Sequence, residues 1–79
     1  MNHGDQRTHF ITTLIRYRLR EYVQQTAQAP IVIRMNPMIL DIWRAELLVT
    51  GKLLPREPLL YFGGAAIISS LDTELMEIE

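Results

Sequence analysis

The sequence predicts an α+β fold in which two helices pack on a small, mostly antiparallel sheet of three strands, in the order α-β-α-β-β. Three observations carry this prediction: a helical spacing of apolar residues near the N-terminus, a second helix bounded by proline and glycine, and short β-branched stretches beside them. A chain of 79 residues is predicted to form one domain over residues 1–79, with residues 1–5 disordered. The hydrophobic content of 48% is sufficient for a core.

The first element is predicted to be a helix that starts between Asp5 and Thr8 and ends near Gln28. Its apolar residues recur three and four positions apart and cover one broad face. Pro30 then stops the helix. Residues 31–35 are rich in β-branched side chains and too few for a helix, so they are predicted to form a strand.

A second helix is predicted over residues 37–50, and it has the clearest start and end signals in the chain. Asn36 can accept a hydrogen bond from a free N–H of the first turn, and Pro37 at the first helical position loses no hydrogen bond. Gly51 supplies the left-handed residue that commonly follows the end of a helix.

Apolar residues cover nearly the whole circumference of this second helix, which is typical of a helix buried on several sides. A domain this small buries only about 60% of the surface that its unfolded chain exposes, so it can hardly enclose such a helix alone. We therefore expect the chain to bind a second copy of itself, most simply as a homodimer, or to bind another protein. The expected interface is either the apolar side of the first helix or a set of second-helix residues: Ile39, Ile42, Trp43 and Leu47.

The C-terminal part of the chain is predicted to be mostly β-structure. Residues 59–62 and 65–69 are predicted to form one strand that bends or bulges at Gly63-Gly64. Residues 70–73 have the composition of a turn that joins hairpin strands, and residues 74–79 are predicted to form the last strand.

The net charge of −1 conceals two oppositely charged halves: residues 1–34 carry +3 and residues 35–79 carry −4. In one interpretation the basic first helix and the acidic C-terminal half neutralise each other, within a subunit or across a dimer. In the other, the first helix offers a phosphate-binding stripe to nucleic acid. The residues of this stripe would be Arg16, Arg18 and Arg20.

Arg18 differs from the other two arginines because it projects within the apolar face of the first helix. A buried arginine requires a partner, since an unpaired buried charge is very costly. We expect that partner to be Glu46 or an acid of the C-terminal strand, in a pair that fixes subunit register.

No pattern in the sequence indicates catalysis, and no cofactor or metal is expected. The absence of cysteine excludes disulfides and thiolate metal sites. The two histidines, His3 and His9, belong to no spaced set of metal ligands, and Ser69 and Ser70 lie in no nucleophile motif. We therefore predict that the protein is not an enzyme.

The N-terminus lacks the basic-then-apolar pattern of a secretory signal. The longest apolar run, residues 59–68, is about half the length of a membrane-spanning helix, which needs about 20 residues. We expect a soluble, cytoplasmic protein with no membrane partner.

Residues 35–79 resemble many small proteins encoded by tailed bacteriophages and prophages. The resemblance rests on the helix that Asn36-Pro37 starts, on the segment 61–68 with its glycine pair, and on the acidic end of the chain. It implies an accessory or virion-associated protein, or one that binds and modulates a host factor, in the host cytoplasm or in the virion. Together with the residue patterns, it predicts a non-catalytic protein–protein interaction protein, with nucleic-acid binding as the alternative.

Overall fold

The structure is a computed structural model that describes residues 10–79, and it shows two helices and a four-stranded mixed sheet. The predicted α+β class is confirmed, whereas the number and order of the strands differ from the prediction. The predicted helix start between Asp5 and Thr8 and the predicted disordered segment 1–5 lie outside the described residues. The elements are α1 (Phe10–Thr26), β1 (Val32–Met35), α2 (Pro37–Val49), β2 (Tyr61–Phe62), β3 (Ala65–Ser69) and β4 (Met76–Ile78).

Helix α1 ends at Thr26, two residues before the predicted end at Gln28. Ala27 adopts a left-handed conformation with φ of 57°, and its N–H still donates to the carbonyl of Val23 at 2.8 Å. A left-handed residue cannot continue a right-handed helix, so the helix stops here rather than at the proline further along.

Helix α2 has the predicted signals at both ends. The side chain of Asn36 accepts the N–H of the second helical residue, as an N-cap does. Gly51 has a positive φ of 72° and donates its N–H to the carbonyl of Leu48. The N–H of Lys52 donates to the carbonyl of Leu47 at 2.9 Å, which completes the Schellman motif.

The Gly63-Gly64 pair forms a tight turn between two strands, so the prediction of a single bent strand over residues 59–69 is wrong. Both glycines have positive φ, 59° and 84°, as the two central residues of a type I′ hairpin turn require. Strands β2 and β3 therefore pair antiparallel, with Phe62 opposite Ala65. This hairpin accounts for the fourth strand.

Strand β1 lies inside the sheet, whose order is β2-β3-β1-β4. It pairs parallel with β3 and antiparallel with β4, so the predicted hairpin across residues 70–73 does not form. That segment instead passes from one side of β1 to the other: the N–H of Ser70 donates to Met35, and the N–H of Asn36 donates to Leu75. An apolar strand such as β1 is favoured in the interior of a sheet, where it has a neighbour on each side.

The core lies between the two helices and one face of the sheet. Alternate residues of β1 are buried, as expected for a sheet covered on one face. Trp43 of α2 is at the centre of this layer and meets the ring of Phe62 edge-on, with ring centroids 5.1 Å apart. The fully buried members of the core are Ile15, Ile33, Met35, Trp43 and Ala65.

Candidate protein interaction surface

The four residues predicted to form an interface lie on different sides of α2. Trp43 has no exposed surface and Leu47 is buried, because α1 and the sheet of the same chain cover this side of the helix. Ile39 is half-buried against the core, whereas Ile42 is 50% exposed. The chain thus encloses more of α2 than we expected of a protein of 79 residues. Of the four residues, only Ile42 is well placed to contact a partner.

The outward side of α2 carries an apolar stripe that includes Ile42. Met38 and Val49 are 69% and 77% exposed, and Ala45 lies exposed between them. At 100° per residue these positions fall within an arc of about 60° on the helix. Their spacing of four, three and four residues is that of a coiled-coil seam. The α2 stripe consists of Met38, Ile42, Ala45 and Val49.

A hydrogen-bonded network beside the stripe holds α2 against α1. The carboxylate of Glu46 accepts the backbone N–H groups of Ile11 and Thr12, each at 2.8 Å. It also accepts the hydroxyl of Thr12 at 2.6 Å, and that hydroxyl accepts the indole N–H of Trp43 at 3.0 Å. Two free N–H groups of a first helical turn are therefore capped by a carboxylate from another helix. The network fixes which side of α2 faces outward.

The expected ion pair between Arg18 and Glu46 does not form, because Glu46 is bound to the first turn of α1. Arg18 is half-buried, and its guanidinium reaches the carbonyl of Met76 on β4 at 3.4 Å. A backbone carbonyl thus takes the place of the acidic partner that the sequence suggested.

The three arginines of the predicted nucleic-acid stripe do not share one face. The guanidinium of Arg16 lies over the ring of Phe62 on β2, 5.8 Å from its centroid, whereas Arg18 reaches β4. Because β2 and β4 are the two edges of the sheet, these two side chains point in opposite directions. Arg20 is exposed and lies one turn from Arg16, so at most these two can act together.

Within residues 10–79, one ion pair joins the basic and acidic halves of the chain. Arg34 of β1 binds Glu79 at 2.5 Å, and both side chains are partly exposed. The hydrogen bond that Arg34 donates to the carboxylate of Glu79, together with the negative charge of Glu79, raises the pKa of Arg34 above its ordinary value. The arginines of α1 form no ion pair within residues 10–79. Ion pairs between the first helix and the acidic half are therefore not found within the described part of one chain.

Residues 10–79 contain no group of three or more acidic, histidine or cysteine side chains that could hold a metal ion, and His3 and His9 lie outside this range. Neither α1 nor α2 has the length and apolar content needed to cross a membrane. Comparison of the chain with known protein families, curated proteins and solved structures finds no significant match.

Proposed function

We propose that this chain is a non-catalytic interaction protein that forms a homodimer through the α2 stripe. The observation that carries the proposal is an exposed seam of apolar side chains, at coiled-coil spacing, on a helix whose other side is fixed in the core. Exposed apolar groups at this spacing are stabilised when a second helix covers them.

The stripe is complementary to itself in an antiparallel arrangement. A two-fold axis between Ile42 and Ala45 places Ile42 of one protomer against the partner's Ala45, and Met38 against the partner's Val49. The large side chain at each central position meets a small one, which lets the helices approach to about 8 Å. Self-association therefore requires no further partner to cover the stripe.

The area of this contact sets the expected affinity. Helix α2 has 13 residues, which gives it a length of about 20 Å. Stable interfaces bury about 800 Å² on each partner, which is more than one such helix pair provides. We therefore expect dissociation in the micromolar range rather than the nanomolar range.

Analytical ultracentrifugation across the micromolar range tests this proposal. The wild-type mass is expected to rise from monomer to dimer with concentration, while Ile42→Lys stays monomeric because a lysine would be buried in the seam. Leu71→Lys is the matched control, since Leu71 is 85% exposed in the connection before β4. Circular dichroism verifies that both variants fold. A wild type that is monomeric throughout, or an Ile42→Lys variant that dimerises like the control, would contradict the proposal.

We further propose, from the resemblance of residues 35–79, that the protein is an accessory or virion-associated protein of a tailed phage or prophage, or a modulator of a host factor. Neighbouring genes for phage morphogenesis or early host takeover would support this origin, and housekeeping neighbours would oppose it.

The alternative function, nucleic-acid binding, would depend on Arg16 and Arg20. It predicts binding that weakens steeply with added salt.

A further inference from the structure

A second surface lies on the side of α2 away from the stripe. It is a cleft of about 830 Å³ between the N-terminal half of α1 and residues 57–62. Leu47 and Leu53 line it and are buried, so its inner wall is apolar. A cleft of this size can hold a drug-sized molecule or a few residues of a peptide, since ligand sites typically enclose about 300–1,000 Å³.

The outer strand beside this cleft has free backbone groups. Strand β2 is at the edge of the sheet, and the N–H of Ile67 donates to the carbonyl of Leu60 at 2.8 Å. In an antiparallel pair, bonded and non-bonded positions alternate along the strand. Because Leu60 and Phe62 occupy bonded positions, the N–H and C=O groups of Leu59 and Tyr61 point away from β3. They face the unpaired edge.

The cleft follows this edge of the sheet. All six consecutive residues from 57 to 62 line it. Side chains of an extended segment alternate between its two faces, so a cleft on one face alone would be lined by every second residue. Contact with consecutive residues indicates a cleft that runs beside the strand, where a further strand would pair.

The charges around the cleft favour an acidic ligand. Arg16 and Lys52 line it, and neither forms an ion pair within residues 10–79. Glu57 also lines the cleft, but its carboxylate accepts the N–H of Leu54 at 3.0 Å within a local turn. The Arg16 guanidinium, held over the ring of Phe62, is placed at the cleft to receive a carboxylate.

We propose that this cleft binds an extended, acidic peptide segment of another protein, which pairs with the edge of β2 as a fifth strand. Backbone hydrogen bonds to Leu59 and Tyr61 supply affinity, as in other cases of strand addition. A carboxylate side chain of the peptide binds Arg16 and gives the preference for acidic sequences. This site is separate from the α2 stripe and does not depend on dimerisation.

The test is a selection of peptides, from a displayed library of random sequences, for binding to the full 79-residue chain. We expect enrichment of extended sequences that carry aspartate or glutamate. A synthetic copy of an enriched peptide is then measured by fluorescence anisotropy and by chemical shifts of the isotope-labelled protein. The shifts should change along residues 57–62 and near Arg16. A peptide version with glutamine or lysine in place of the acid should bind more weakly.

Three variants locate the site. Arg16→Glu is expected to weaken binding about fivefold to tenfold, whereas Arg20→Glu, one turn along the same side of α1, should leave it unchanged. Tyr61→Pro removes a donor at the free edge without removing a bond to β3, and should weaken binding about fivefold. N-methylation of alternate peptide residues should have a similar effect. Ile42→Lys should bind the peptide as the wild type does, which keeps this result independent of the dimer.

Several outcomes would overturn the proposal. They are an absence of enriched peptides, equal losses with Arg16→Glu and Arg20→Glu, or insensitivity to N-methylation. Shifts confined to the α2 stripe, or loss of binding in Ile42→Lys, would show that the peptide binds elsewhere or that a second copy of the chain forms the site.

Discussion

Glu46 provides the sharpest test of how the two helices are held together. Replacing Glu46 with glutamine keeps the size of the side chain but removes its charge and one of its two acceptor atoms. The carboxylate accepts three hydrogen bonds, two from backbone N–H groups and one from the hydroxyl of Thr12. The amide NH₂ of glutamine cannot accept any of them, so at least one donor loses its partner.

The expected cost follows from these contacts. A hydrogen bond to a charged group contributes about 1.5–3 kcal/mol, and a negative charge at a helix N-terminus contributes about 0.3–1 kcal/mol. We expect Glu46→Gln to lower the free energy of unfolding by about 2–4 kcal/mol, the sum of one lost bond and the lost charge. For a chain of this size this corresponds to a fall in Tm of roughly 10–30 °C.

Urea unfolding followed by the fluorescence of the single tryptophan, Trp43, measures this change. All variants are compared at one protein concentration, because the proposed self-association would add to the apparent stability. Glu74→Gln is the matched control, since Glu74 is exposed. A Glu46→Gln variant within about 0.5 kcal/mol of this control would refute the role assigned to the network.

Thr12→Val extends the same test to the other end of the network. It removes the hydroxyl and leaves the fully buried indole N–H of Trp43 without an acceptor, at a cost of about 1–3 kcal/mol. The double variant with Glu46→Gln should cost less than the sum of the two single changes, because both weaken or remove the same hydrogen bond between the Thr12 hydroxyl and the Glu46 side chain.

Two further predictions concern the turns that hold the elements in place. Gly63→Ala should destabilise the protein more than Gly64→Ala: both require a positive φ, but a Cβ at Gly63 would lie 3.2 Å from Leu19. Backbone strain alone is expected to cost each variant about 1–2 kcal/mol. Equal falls in Tm for the two variants would contradict a role for the contact with Leu19. Asn36→Asp should retain the helix cap but lose the bond from the side-chain NH₂ to the carbonyl of Thr73, so it should cost less than Asn36→Ala. We expect about 1–2 kcal/mol for the alanine variant in urea unfolding, and equal values for the two variants would count against a separate capping contribution.

The sequence predicted best those elements whose signals are local. The bounds of α2 follow from Asn36, Pro37 and Gly51, whose effects act within one helical turn. The position of β1 follows from its β-branched composition. The pairing of strands could not be predicted in this way, because the partners of β1 come from distant parts of the chain. A bend or bulge was predicted at Gly63-Gly64, although two consecutive glycines, which readily adopt positive φ, favour a two-residue hairpin turn.

The surface of α2 was harder to predict than its ends. A helix that is apolar all round gives no indication of which side the chain itself covers, so Trp43 and Ile42 looked equivalent in sequence. The deciding contact is between Glu46 and the first turn of α1, and it joins residues 34 and 35 positions apart. The isolated acid in an apolar helix was the one available signal for it. The cleft had no sequence signal, because it forms between α1 and residues 57–62, which are distant from each other in the chain.

The interior position of β1 also affects how fast the chain reaches its native state. The register places Val32 beside Ala66 and Arg34 beside Glu77, so β1 gains a neighbour only after long loops have closed. The β2–β3 hairpin closes through two residues and can form early. Folding should therefore wait for β1 to dock between β3 and β4, which makes the chain slower than a helical protein of equal length. Until that step, β1 exposes both of its edges and can pair with other unfolded chains.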